Sequence, residues 1–233
     1  MTTPKYNLSK LQNRVIALDG PAGSGKSTTA RLLAARLGYA YLDTGAMYRA
    51  ITYIALRDKI SPSESQRLAQ IAAKSEFKFE THADVNRVFV NGEDFTQEIR
   101  LPEVTLHVSE VSAHKAVREA LVAKQKEIGR SGGIVAEGRD TTTVVFPNAD
   151  IKVYLDADVK VRAQRRLLDL VRMGVSTSVE DQVADLKRRD AFDSGREHSP
   201  LMKAKDAFTV DTTNMTVDEQ VDKIIALLKS VLH

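Results

Sequence analysis

Gly20-Pro21-Ala22-Gly23-Ser24-Gly25-Lys26-Ser27 has the spacing glycine, four residues, glycine, lysine, then serine or threonine. That pattern folds a backbone around the phosphates of a nucleoside triphosphate. Glycines leave room for several N–H groups to converge on one anion. Lys26 can reach the β and γ phosphates, and the Ser27 hydroxyl can ligate Mg2+ together with phosphate oxygens and waters. A helix starting here would turn the positive end of its dipole to the same charge. A glycine-rich turn that binds nothing has the same composition, so the flanks must decide. Val15-Ile16-Ala17-Leu18 is an apolar run suited to a parallel strand covered on both faces. After Lys26, the residues Ala30, Leu33, Ala34 and Leu37 recur at helical spacing, and Gly38 stands where a C-cap glycine belongs.

A phosphate cradle alone implies binding; a reaction has to be read from charges placed elsewhere. Moving a phosphoryl group between two anions needs cations and fixed donors around oxygens that otherwise repel, and it needs water kept out. Arginine suits this better than lysine because its planar fork holds two phosphate oxygens at once. Arg49 falls one turn inside a helix expected to start at Thr44 as its N-cap, and Arg139 follows a core strand. Arg189 and Arg196 bracket Asp193 in a charged segment expected to be loop, and Arg165 and Arg166 lie on the preceding helix, where a solvated face would equally account for them. His82, His107, His114, His198 and His233 show no ligand spacing and are expected at the surface. Asp19, ending the first strand, is either structural or orients Lys26.

These groups need a scaffold, and strands alternate with helices along most of the chain, which predicts a mostly parallel sheet with helices on both faces. The predicted order is a strand at Ala40–Leu42, a helix carrying Met47, Ile51, Ile54 and Ala55, and a helix opened by Ser61-Pro62-Ser63-Glu64. The period then changes. Phe77–Glu80 and Arg87–Val90 alternate as strands do and Asn91-Gly92 is a hairpin turn, so roughly 75–100 reads as an antiparallel insert. Helix follows over 102–130, broken near Ala113-His114 and ended by Gly132-Gly133, before the strand Ile134–Ala136 that delivers Glu137, Gly138, Arg139 and Asp140 to the sheet edge where ligands bind. Ile151–Leu155 is the next strand, followed by a helix with Val161, Gln164, Leu168 and Val171 on one side. Phe208–Val210 is the last strand, and Thr216–Glu219 caps a closing helix whose inner face is Val221, Ile224, Ile225, Leu228 and Leu232.

Composition limits the classes that remain. The 233 residues, 42% hydrophobic, can bury a sizeable core, and a formal charge of +3 spread along the chain argues against nucleic acid as partner. No cysteine is present, which excludes disulfides and thiolate metal sites and fits a reducing compartment. The first thirteen residues lack the apolar core of a signal peptide, and no apolar stretch reaches membrane-spanning length. A cytoplasmic monomer with small-molecule partners and no membrane association is expected.

Taken together, GPAGSGKST at Gly20–Thr28, LDTGAMYR at Leu42–Arg49, EGRDTTTVVFP at Glu137–Pro147 and RDAFDSGREHSPL at Arg189–Leu201 resemble the bacterial cytidylate kinases in order and spacing over nearly the whole chain. The second and third motifs carry most of the likeness, because they separate this group from adenylate, guanylate and thymidylate kinases. The resemblance implies a P-loop α/β fold with a β insert in the monophosphate-binding region and a lid. It implies Mg2+-dependent phosphorylation of CMP and dCMP by ATP. In this sequence the core would be 13–60 and 131–233 with a lid at about 174–200 that moves over ATP, and the acceptor region 61–130. ATP would fall to Gly20, Pro21, Ala22, Gly23, Ser24, Gly25, Lys26, Ser27 and Thr28, with Arg165 and Arg166. CMP would fall to Thr44, Arg49, Ser109, Arg118, Arg139, Asp140, Arg189, Asp193 and Arg196, with Lys26, Arg139 and Arg189 as catalytic groups. Ser109, Arg118 and Asp140 would read cytosine's amino donor beside its N3 and O2 acceptors. Two positions depart from the family pattern. Thr142 stands where glycine is usual, which would alter the loop if that glycine serves a positive φ, and Glu137 stands where aspartate is common. A P-loop kinase of another acceptor such as UMP, or a nucleotide-dependent switch without turnover, stays open beside this reading.

Overall fold

The computed structural model describes residues 13–82, 85–172 and 174–231. The expectations for the N-terminal segment 1–12, for Leu232 and His233, and for the side chain of His82 lie outside the described residues. Strands and helices alternate as β1 (Val15–Asp19), α1 (Lys26–Leu37), β2 (Ala40–Asp43), α2 (Thr44–Arg57), α3 (Ser65–Lys74), β3 (Phe77–His82), β4 (Val85–Val90) and β5 (Glu93–Asp94). They continue as α4 (Pro102–Ala113), α5 (Lys115–Ile128), β6 (Ile134–Gly138), β7 (Ile151–Asp156), α6 (Val159–Arg172), α7 (Val179–Ser194), β8 (Phe208–Asp211) and α8 (Val217–Val231). A five-stranded sheet has the order β2-β6-β1-β7-β8, and β3-β4-β5 form a separate antiparallel sheet. The expected parallel sheet and antiparallel insert are therefore both present. Contacts divide the chain into two compact units, one of Ile16–Leu33 with Glu137 onward and one of Ala34–Ala136 with the residues leading to Val15.

In the first unit β1, β7 and β8 pair in parallel, with Leu18 opposite Val153 and Leu155 opposite Val210. These side chains are fully buried, as their continuous apolar runs require. The closing helix α8 opens on the expected capping box: the Thr216 N–H donates to Glu219 Oε2 at 2.7 Å, and the Glu219 N–H to Thr216 Oγ1 at 3.3 Å. Val221, Ile224, Ile225 and Leu228 are buried beneath it, each removal of such a side chain from water contributing about 1.5–3 kcal/mol.

Two expectations for this unit are corrected. On α6 the buried residues are Arg162 and Ala163, while Leu168 and Val171 are exposed, the reverse of the face expected. The apolar stripe misled because the inward side of this helix carries a small residue and an arginine. Arg189 and Asp193 are helical, within α7, and not in a loop. Ser178 and Asp181 close a reciprocal cap at its start, and Val179, Val183 and Leu186 hold one face against Ala22, Ala163 and Val159. The charge run that read as loop is the second half of this helix, with Lys187 and Arg188 exposed and Asp193 buried.

In the second unit Asp43, not Thr44, caps α2, its Oδ1 accepting the Ala46 N–H at 2.9 Å; Thr44 is the first helical residue and is buried. Helix α3 begins at Ser65, later than expected, because Glu64 Oε1 accepts the Ser61 N–H at 2.9 Å and closes a turn of its own. The break between α4 and α5 falls at His114, which is extended (φ −68, ψ 118). His114 is half-buried and donates from Nε2 to the Pro62 carbonyl at 2.7 Å, so its expected surface role gives way to a tie between the α4–α5 junction and the segment before α3.

The insert follows its alternation: Phe79 faces Val88 and Phe77 faces Val90 across β3 and β4, and Asn86, Val88 and Val90 are buried while Val85 and Arg87 are exposed. Asn91 (φ 51) and Gly92 (φ 84) turn β4 into β5, both left-handed as a two-residue hairpin of matching twist demands. No atom lies within 4 Å of a Cβ added to Gly92, so only backbone conformation is tested by substitution. Gly92→Ala should lower unfolding free energy by about 1–2 kcal/mol in chemical denaturation; an unchanged midpoint would contradict this account of the turn.

Candidate active site

The glycine-rich loop lies where the sequence puts it, between the buried end of β1 and the first turn of α1. Gly20 (φ 150) runs so close to β7 that a Cβ there would overlap the Leu155 carbonyl oxygen. Behind the loop, Thr212 Oγ1 donates to the Ser24 carbonyl at 2.9 Å, and Thr29 Oγ1 donates to Gln220 Oε1 at 2.5 Å. Arg165 holds Thr212 in turn, through its carbonyl at 2.7 Å and its hydroxyl at 3.1 Å. The half-buried Arg166 is its neighbour on α6.

Lys26 is buried, and its ammonium donates to the Pro21 carbonyl at 2.7 Å and to Ser24 Oγ at 3.4 Å. Burial, assisted by the positive charges of Arg139 and Arg189 and opposed by Glu137 and Asp19, pulls its pKa down to about 7. The loop thus holds a cation that would gain from an anion. Ser27 and Thr28 are exposed at the start of α1, and Ser27 Oγ donates to Glu137 Oε1 at 2.6 Å. Glu137, whose role the sequence left open, therefore stands beside the residue expected to ligate metal.

Asp19 anchors the turn at Thr141–Val145. Its Oδ1 accepts the Thr141 N–H at 2.9 Å, and its Oδ2 accepts the Thr142 N–H at 2.7 Å and the Thr142 hydroxyl at 2.6 Å. Burial raises its pKa against those three donors. Thr142 lies in a π-helical turn, Thr141–Val145, and is not among the residues of positive φ. The threonine that departs from the family pattern thus needs no strained backbone, and its hydroxyl is used. Asp140, buried just before it, accepts the Val144 N–H through its carbonyl at 2.8 Å.

Arg139 and α7 meet through carboxylates. Arg139 Nε donates to Asp193 Oδ2 at 3.0 Å, and Arg196 Nε donates to the Asp193 carbonyl at 3.2 Å. Burial opposes charge on Arg139, but Asp193, Glu137 and Asp190 more than offset it and raise its pKa. Arg162, which the sequence reading passed over, is buried and donates to the Ala157 and Ala22 carbonyls, both at 3.0 Å, and to Asp190 at 2.7 Å. Its one signal in the sequence was a charged residue next to Ala163 on the inward face of α6. Lys26, Arg139, Asp193 and Arg196 are thus brought together with Arg189 in this unit.

The remaining predicted residues belong to the second unit. Arg49 donates from one nitrogen to Thr105 Oγ1 at 2.9 Å and to the Ile99 carbonyl at 3.2 Å. Arg118 is buried, stacks 5.0 Å from the centre of the Tyr48 ring and donates to the Ser112 carbonyl at 2.9 Å. Ser112 in turn donates to the Ser109 carbonyl at 3.0 Å, placing Ser109 on the same turn of α4. Thr44 is buried at the start of α2.

Residues 16–230 match the family described as cytidylate kinase. The chain belongs to the cytidylate kinase family. It is 44% identical over 218 residues to a cytidylate kinase of Bacillus cytotoxicus, covering 94% of this chain and 97% of that one. It is 46% identical over 226 residues to one of Ligilactobacillus salivarius, covering 97% of this chain and all of the relative. At the level of fold alone, a structure of an uncharacterised protein from Eubacterium ventriosum superimposes with a TM-score of 0.50 at 12% identity, over 93% of this chain and 99% of that one. Among the described residues no helix is long and apolar enough to cross a membrane, and no group of three His, Cys, Asp or Glu side chains could hold a metal by itself. Ser27 and Glu137 set a hydroxyl and a carboxylate side by side, both hard oxygen donors.

The Asp19–Thr142 contact is directly testable. Thr142→Val keeps the shape, removes one charge-assisted donor and leaves each Asp19 oxygen one main-chain N–H. Unfolding free energy should fall by about 1–2 kcal/mol in denaturant titration; a variant as stable as the parent would mean the hydroxyl contributes nothing.

Proposed function

We propose that the protein transfers the γ-phosphoryl group of ATP to CMP and dCMP, giving ADP with CDP or dCDP. Family membership supports the reaction class, and one observation carries its chemistry: the Lys26 ammonium, held out of water in the loop, with Arg139 and Arg189 close enough to depress its pKa. An ammonium disfavoured by burial and by two guanidinium charges is relieved when phosphate oxygens come beside it. The acceptor phosphate is already anionic, so no general base is required; the protein's task is to neutralise repulsion, align the two phosphates and exclude water.

In this reading Gly20–Thr28 take the triphosphate, with Arg165 and Arg166 on the donor side. Ser27 and Glu137 hold Mg2+, directly or through water, and the ion would spread the charge developing on the β and γ oxygens. CMP is assigned to Thr44, Arg49, Ser109, Arg118, Arg139, Asp140, Arg189, Asp193 and Arg196. The acceptor region is 61–130 and the lid is the segment at about 174–200. A carboxylate, a guanidinium and a hydroxyl match cytosine's edge, and uracil reverses the donor and acceptor they expect. The absence of cysteine fits work in the cytoplasm.

A panel of monophosphates with ATP and Mg2+, followed by ADP release, tests the acceptor. CMP and dCMP should turn over, with kcat/KM for UMP lower by about tenfold or more. Equal rates for UMP would remove the base readout, and no turnover of CMP would overturn the reaction.

The low pKa of Lys26 supplies a second test. Below about pH 7 the free loop is already protonated. Above it the ammonium has lost its proton, and a bound triphosphate raises the pKa again. ATP binding should therefore take up close to one proton at about pH 8.5 and almost none at about pH 6. Affinity should weaken as pH rises. Calorimetry in buffers of different ionisation enthalpy measures the uptake, and no uptake at the higher pH would contradict a buried, destabilised lysine.

A further inference from the structure

Helix α7 carries a stripe at alternating steps of four and three residues: Val179, Val183, Leu186, Asp190 and Asp193. A single face of a helix recurs at that spacing. The first three side chains pack with Val159 and Ala163 of α6 and with Ala22 of the phosphate loop. At Asp190 the stripe changes from apolar to acidic, and there it meets Arg162. One guanidinium nitrogen of Arg162 donates both to Asp190 Oδ2 at 2.7 Å and to the Ala22 carbonyl at 3.0 Å, while Nε donates to the Ala157 carbonyl at 3.0 Å. Arg162 is thereby bonded to the loop, to the end of β7 and to α7 at once, with its side chain only 8% exposed.

We propose that Arg162, through Asp190, is a positioning residue that fixes the register of α7 against the phosphate loop and so sets where Arg189 and Asp193 stand relative to Lys26. The neighbours of Asp190 make the consequence local. Arg189 precedes it by one residue, and Asp193, one turn later, accepts from Arg139 at 3.0 Å. A helix free to turn or slide at Asp190 would carry both with it. Arg162 lends no atom to the reacting phosphates in this account. It acts through the helix, and the apolar half of the stripe gives α7 an attachment that survives when the ion pair is lost.

The proposal rests on the kinase reading for its activity measurements but not for its structural one. Arg162→Met, Asp190→Ala and the double variant are compared with the parent protein. Alanine is the best helix former and the apolar contacts of Val179, Val183 and Leu186 are untouched, so Asp190→Ala keeps α7 helical. Each single variant should lower kcat with CMP by about tenfold while the dissociation constant for ATP moves by less than about threefold, and the double variant should lose no more than the worse single one. Trypsin supplies the readout that needs no substrate. Lys187 and Arg188 are exposed on α7, and cleavage there should speed up by about tenfold in all three variants as the helix works loose. Losses that multiply in the double variant, or Asp190→Ala matching the parent in both turnover and cleavage, overturn the proposal. A large rise in the ATP dissociation constant for Arg162→Met that Asp190→Ala does not share also overturns it, because the bond of Arg162 to the loop, and not its bond to α7, would then be the one that matters. If the parent protein does not phosphorylate CMP, the functional reading fails by itself, and the cleavage rates still decide whether Arg162 tethers α7.

Discussion

An ammonium group kept out of water is the constraint around which the first unit is organised. Lys26 is buried in the loop that follows β1, bonded to a carbonyl and a hydroxyl and pressed by two guanidinium groups. Such a cation is costly in the free protein. The surroundings keep the cost tolerable without cancelling it: Glu137 and Asp19 act on Lys26 through space while their own hydrogen bonds go to Ser27 and to Thr141 and Thr142. A carboxylate placed directly on the ammonium would stabilise the empty loop and compete with a phosphate. The arrangement leaves electrostatic demand unspent where an anion is to be received, which is the form of preorganisation that catalysis of phosphoryl transfer requires.

Holding several like charges near one another needs a rigid frame, and the frame consists largely of polar contacts to main-chain atoms. Thr212 fixes the Ser24 carbonyl, Arg162 fixes the Ala22 carbonyl, and Gly20 passes under the Leu155 carbonyl with no space for a side chain. The loop is thus held from outside by residues far along the chain. In the second unit the same economy recurs: Arg118 is stacked on Tyr48 and tied to the end of α4, and Arg49 is tied to Thr105, so long side chains are given fixed directions by their neighbours.

Much of this was legible in the residues and some was not, for physical reasons. The strand–loop–helix unit around Lys26 could be read because glycine spacing, a buried strand and helical periodicity all specify the same local geometry. The hairpin at Asn91-Gly92 was readable because two consecutive left-handed residues restrict the sequence so strongly. The inward face of α6 was not, since the side that packs bears Ala163 and Arg162 and the side that is exposed bears Leu168 and Val171. Periodicity finds apolar stripes, and it has no means of seeing a helix whose buried face is a cation bonded to distant carbonyls. The helical character of Arg189 to Asp193 was hidden for a related reason, because the apolar residues that anchor α7, Val179, Val183 and Leu186, all precede the charges. The caps of α2 and α3 differ from expectation by only a few residues, where Asp43 and Glu64 took the competing hydrogen bonds.

The pairing of Asp19 with Thr142 bears on how such a protein changes over generations. Either oxygen of the carboxylate keeps a main-chain donor when the hydroxyl is absent, so loss of the threonine side chain weakens the anchorage without abolishing it. The aspartate has no comparable exit: its loss would leave two inward-pointing amides, and with them the turn that presents Arg139, without an acceptor. One partner can be exchanged at a moderate cost while the other is entrenched, and descent in this lineage should record position 142 as the more variable of the two.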